Sequence, residues 1–130
     1  MGGAASSIRL LPVTAQNADS LEGELRCGFT DEDERNTLFL AAANVGDEYR
    51  ATAVINNRGM GITLVASEPG GFSTLDDGGT FDSQVFTATL VPGEEIDGGQ
   101  SEAQKFPAQL TVKATDGTEV TVDGLWTCGP

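Results

Sequence analysis

Ala108-Gln-Leu-Thr-Val-Lys-Ala114, Thr115-Asp-Gly-Thr118 and Glu119-Val-Thr-Val-Asp-Gly-Leu-Trp-Thr-Cys128 form two alternating runs around a turn. Ala108, Leu110, Val112 and Ala114 alternate with polar residues, and Val120 and Val122 do the same on the far side. That period of two, folded about Asp-Gly, predicts a β-hairpin with one face on a core. Asp123-Gly124 interrupts the second run just before Leu125 and Trp126, where a β-bulge is expected.

Working back along the chain, the same period recurs between short turn signals. Leu21 to Phe29 reads as a strand with Leu25, Cys27 and Phe29 on one face. Leu38-Phe-Leu-Ala-Ala-Ala43 has helix propensity, but its length and flanking turns favour a strand covered on both faces. Tyr49 to Ile55 and Ile62 to Ala66 flank Asn56-Asn-Arg-Gly59, a turn whose Asn and Gly residues tolerate positive φ. Phe72 to Leu75 reads as a short strand and Gln84 to Val91 as a clear one. Pro92 to Gln104 is the longest polar connection. Seven or eight strands with short turns and no core helix make an all-β antiparallel meander. The expected architecture is a small up-and-down β-barrel, with a β-sandwich as the alternative.

The 130 residues fit one domain, expected over residues 20–130 after a flexible leader at 1–19. Ile8 to Val13 is the part of that leader expected to lie along the domain surface. Twenty acidic residues against seven basic ones give a net charge of −13, which repels phosphate and disfavours nucleic acid as a partner. The same field attracts a basic protein. No apolar run approaches the ~18 residues of a membrane-spanning helix.

The chain has no histidine, which removes Ser-His-Asp and Cys-His catalysis and the usual zinc ligand sets. No glycine-rich phosphate loop lies between a strand and a helix. One Trp and one Tyr offer little surface for stacking sugars. Asp31-Glu-Asp-Glu34 is followed by Arg35-Asn36 where a calcium loop needs further ligands and glycine, so it reads as a solvated acidic turn. Asp76 to Asp82 echoes a calcium-binding glycine-aspartate repeat only once and reads as a loop. No cofactor or metal is expected, and no enzymatic activity.

Cys27 and Cys128 are the only cysteines, one in the first strand and one in the last. They are read as one disulfide, with a pair of buried thiols as the alternative. A disulfide implies the periplasm or the medium. The N-terminus lacks the apolar core of a signal peptide, so it is expected to be that of a mature secreted chain restarted with Met.

Leu25-Arg-Cys27 in an early strand and Trp126-Thr-Cys128 in the closing one, on a small acidic meander, resemble secreted bacterial eight-stranded barrels such as the membrane-bound c-type lysozyme inhibitors. The resemblance spans residues 21–130 and implies a barrel fold. That family's Ser-Gly loop motif beside a Tyr and a Lys has no counterpart here, so no functional residue carries over. The expected function is a monomeric, non-enzymatic, inhibitor-like binding module for a basic protein. Its expected contacts are Asp31, Glu32, Asp33 and Glu34 in one turn and Glu94, Glu95 and Asp97 in the long connection. A lipocalin-like small-molecule carrier, or a structural envelope protein, is the alternative.

Overall fold

The computed structural model describes residues 8–19, 21, 23, 25–33, 35–44, 50–68, 75, 78–93 and 104–129. Its strands are β1 (Leu10–Leu11), β2 (Leu25–Asp31), β3 (Thr37–Ala43), β4 (Thr52–Asn57), β5 (Met60–Ala66), β6 (Gly79–Asp82), β7 (Phe86–Pro92), β8 (Gln104–Ala114) and β9 (Glu119–Gly129). A short helix, α1, spans Ala15–Ala18. From β2 to β9 each strand pairs antiparallel with the next, and β9 returns to pair with β2. The result is a closed eight-stranded up-and-down barrel with β1 as an additional strand. Closure leaves the barrel strands no free edge along most of their length.

Alternation determines what fills the barrel. The inward residues of β8 and β9 run Ala108, Leu110, Val112 and Ala114 against Gly124, Val122, Val120 and Phe86 of the neighbouring strands. Phe29, Phe39, Phe81 and Trp126 occupy the centre, each no more than 1% exposed. The Phe39 ring meets Phe81 edge-on at 5.2 Å and lies 6.0 Å from Trp126. Alanines at 41, 43, 51 and 53 on β3 and at the start of β4 make room for these rings. The interior is therefore packed by its own side chains.

Cys27 and Cys128 face one another across the β2–β9 ladder and are joined by a disulfide, with Cα atoms 4.0 Å apart. Both lie inside the wall, at 0% and 5% exposure. The bond sits on the seam where the first and last barrel strands meet.

Three local expectations change. The pairings of Gly124 with Ala108 and of its neighbours on both sides run in unbroken register, so there is no bulge at Asp123-Gly124. Glycine is needed there because a Cβ would collide with the Thr30 carbonyl and come within 2.8 Å of the Phe29 ring. The irregularity lies instead between Phe29 and Thr30 on the β2–β3 side. The β4–β5 turn is also tighter than expected. Asn57 pairs with Met60, so only Arg58 (φ 58°) and Gly59 (φ 95°) make the turn, while Asn56 and Asn57 belong to the strand.

The third change concerns the N-terminus. Ile8 to Val13 lie on the barrel as expected, but Ile8 enters the main core at 4% exposure, and the rest of the expected flexible leader to Asp19 is ordered by a capped helix. β1 pairs with β4, and Val13 N donates to the Thr37 carbonyl at 2.7 Å. Thr14 caps α1 by accepting from Asn17 N at 3.1 Å. Leu21 and Val13 pack against Ala42, Val54 and Leu40 on the outer face of β3 and β4. This layer explains why Leu38 to Ala43 is apolar on both faces while forming a strand. Of the expected short strand Phe72 to Leu75, Leu75 is helical rather than extended, and residues 72–74 lie outside the described residues.

Candidate functional site

Strand direction sorts the connections into two groups. β2, β4, β6 and β8 run one way, and their turns to the next strand emerge at one end of the barrel. These turns are short and internally bonded. The Gly117 N–H reaches the Ala114 carbonyl at 3.0 Å, and Ser83 Oγ accepts from Phe86 N at 2.9 Å. At the opposite end lie the anchors of the longer connections, over residues 44–51, 67–78 and 93–103. In sequence those three segments carry two, three and four acidic residues, against a single base, Arg50.

The two expected acidic contacts therefore have anchors at opposite ends. Asp31, Glu32 and Asp33 belong to the β2–β3 turn at the short-turn end. Glu34 lies outside the described residues. Glu94, Glu95 and Asp97 also lie outside them, in the connection between Pro92 and Gln104, whose anchors are at the other end. One flat contact surface on this barrel does not include both turn anchors.

Asp31 has a specific structural task. Its Oδ1 accepts from Arg35 N at 3.0 Å and from Asn36 N at 3.4 Å, and its Oδ2 accepts from Asn36 Nδ2 at 3.0 Å. These bonds hold the turn, and the Asn36 amide, followed by the Arg35 N–H, keeps the carboxyl below its ordinary value of 3.8. Glu32 and Asp33 stay exposed and free of that task.

At the long-connection end a hollow of about 430 Å³ lies over Ala51, Ala66, Leu75 and Phe81, with Ser67, Glu68 and Thr80 at its rim. None of its four apolar floor residues is more than 5% exposed. The hollow thus stops at a closed core and does not continue into a calyx. Arg50 spans the rim, donating to the Ala66 carbonyl at 3.0 Å and also to that of Ser67 at 2.5 Å.

The outer wall of β6 to β9 is polar. Thr80, Thr89, Thr111 and Thr121 stand opposite one another in a row across four strands, beside a second row of Asp82, Thr87, Lys113 and Glu119. Asp82 accepts from Ser67 Oγ at 2.6 Å and Thr87 Oγ1 at 3.1 Å. With apolar residues inside and hydroxyls and charges outside, this wall is built for water and lacks the apolar outer band of a lipid-facing barrel. Among the described residues no helix is long and apolar enough to cross a membrane. The disulfide and this outer wall are compatible with a secreted or periplasmic protein.

One feature left no sequence signal. Asn56 and Asn57, read as turn formers, are only 6% and 8% exposed. Their side chains hold the N-terminal segment: Asn57 Oδ1 accepts from Arg9 N at 2.7 Å, and Asn56 Nδ2 donates to the Pro12 carbonyl at 2.9 Å. Buried amides spending their hydrogen bonds on a distant backbone form a site that an Asn-Asn pair in sequence does not distinguish from a turn. No protein-family model, curated protein or solved structure matches this chain.

Proposed function

We propose that this protein is a non-enzymatic binding module acting outside the cytoplasm, with the packed barrel as a rigid support and the long connections as the surface that meets a basic protein. The observation that carries this reading is the charge asymmetry. Nine of the twenty acidic residues, and one of the seven basic ones, fall in the three connections anchored at a single end. A field concentrated in this way speeds encounter with a cationic partner and sets orientation. The sealed floor under the 430 Å³ hollow speaks against a lipocalin-like carrier, which needs an accessible cavity. The partner class this field favours is a compact basic protein of the envelope or of a host secretion.

The test is association with a basic lysozyme and with basic proteins captured from the native envelope, followed at rising ionic strength. A genuine partner stays bound at about 0.15 M salt, where the screening length is roughly 8 Å. Replacing Glu94, Glu95 and Asp97 by Gln and Asn slows association, whereas the same change at Glu32 and Asp33 has a smaller effect. Retention of no basic protein, or equal effects from the two ends, removes this reading.

A further inference from the structure

The barrel wall is not paired along its whole circumference. β5 spans Met60–Ala66, but β6 meets it only at Val65 and Ala66, opposite Asp82 and Phe81. Beyond Asp82 the chain turns into β7, so Met60 to Leu64 have β4 on one side and, among the described residues, no strand on the other. Hydrogen bonds at the far end of β5 show which groups this leaves open. The Ala66 N–H reaches the Ala51 carbonyl on the β4 side at 2.9 Å, and the Ser67 N–H reaches the Thr80 carbonyl on the β6 side at 2.9 Å. Alternation therefore turns the N–H and C=O of Gly61 and Thr63 away from β4, toward the open edge. The Gly59 carbonyl faces the same way, because the N–H of the same peptide, that of Met60, is turned toward Asn57 across the two-residue turn.

This edge lacks the usual protection. Exposed strand edges are normally blunted by charge, proline or a bulge. Gly59 to Ser67 carries no charge and no proline, and its register with β4 is unbroken. No acidic residue occurs between Glu48 and Glu68, in a chain of net charge −13. A second copy, which the acidic connections repel, thus meets no carboxylate along this stretch. Met60, at 67%, is the most exposed large apolar side chain among the described residues.

We propose that two copies of this chain pair antiparallel through their β5 edges, with Gly61 on the two-fold axis, as a weak dimer in place of the monomer expected from the sequence. In that register the two Gly61 residues exchange both hydrogen bonds, and each Thr63 N–H donates to the other copy's Gly59 carbonyl. The other copy's turn ends opposite Leu64, so the pairing of Val65 with Asp82 is left intact. Met60 comes to lie directly across from the other copy's Ile62, which is half-buried against the main core. The antiparallel direction also carries Arg58, exposed at the tip of each hairpin, to the exposed Asp82 where β6 of the other copy ends. That charge match arises from the two-fold relation between identical chains, which makes a second copy the fitting occupant. The open edge lies away from the long connections, so its test is independent of the basic-partner reading.

The full chain is followed by sedimentation and by amide hydrogen exchange at concentrations up to about 1 mM, the weak end of specific association. The mass is expected to rise from monomer toward dimer and to stop there, because a two-fold contact closes on itself. Over the same range exchange slows at Gly61 and Thr63, whereas at Ile62 and Leu64, already bonded to β4, it is unchanged. Thr63→Pro removes two intermolecular bonds and none within the barrel, so the dimer weakens about thirtyfold, the equivalent of two net hydrogen bonds, at an unchanged unfolding midpoint. If Thr63→Pro does not fold, Met60→Lys at its exposed position sets a charge against Ile62 of the other copy and weakens the dimer instead. Arg58→Glu and Asp82→Lys chains each dimerise less than the native chain, and an equimolar mixture of the two regains the association. The proposal is overturned if the chain stays monomeric at about 1 mM. It is also overturned if the chain associates without slower exchange at Gly61 and Thr63, or if folded Thr63→Pro or Met60→Lys dimerises as tightly as the native chain.

Discussion

Gly124 shows how much one missing methyl group decides. It faces inward between Val122 and Trp126, where the Thr30 carbonyl and the Phe29 ring close over it. Gly124→Ala is expected to destabilise the barrel by roughly 1–3 kcal/mol, the usual cost of overpacking, seen as a lower denaturant midpoint with an unchanged slope. Asp31 makes a second prediction at this scale. Its folded carboxyl is held below 3.8, so its stabilising contribution is complete above that value and is lost as pH falls through the lower folded value. Carbon NMR should place the Asp31 midpoint below 3.8, and Asn36→Ala should move it upward. Sequence reading placed a special feature at Gly124 because the apolar alternation breaks there. It assigned the wrong cause, since close approach of a distant strand leaves no local mark.

Among the elements, the hairpins were legible, whereas of the N-terminal segment only the placement of Ile8 to Val13 on the domain was, not its strand pairing or its core residue. Val112 and Val120 announce their pairing through a period of two, and Asp116-Gly117 through the positive φ that the turn requires. Residues 8–13 have no period, because β1 is only two residues long and its bonds run to Asn side chains and single backbone groups. Their stabilisation comes from Ile8 in the main core and from the cover over Ala42 and Val54. Removing residues 1–19 is therefore expected to lower stability by about 3 kcal/mol, combining one buried aliphatic side chain with a few net hydrogen bonds. Thermal unfolding of the shortened chain checks this, and an unchanged midpoint would show that the layer contributes nothing. The candidate site was less legible than the fold for a related reason. Asp31 was read as a contact because charge in a turn looks available, whereas its hydrogen bonds commit it to holding that turn.

Over the whole molecule, closure was readable because strands adjacent in sequence pair in space and the two cysteines bracket the meander. The separation of acidic connections between the two ends was hidden until strand direction was known. The disulfide closes a loop with a sequence separation of 101, for which chain entropy gives about 4–5 kcal/mol. Replacing Cys27 and Cys128 together by Ala is expected to cost about that much, read from denaturant unfolding under non-reducing conditions. In the native protein both sulfurs should resist reduction by mild thiols until the barrel opens, because neither is more than 5% exposed.

That bond also changes what kind of polymer this is. Its anchors are Cys27 and Cys128, so all the backbone between them forms a covalent ring. A protease that cuts once within residues 44–51, 67–78 or 93–103 linearises the ring without releasing a fragment. The nicked protein should migrate as one species on a non-reducing gel and as two after reduction. New chain ends opened at those positions would likewise leave β2 tied to β9, so the barrel seam is secured independently of where the polypeptide begins.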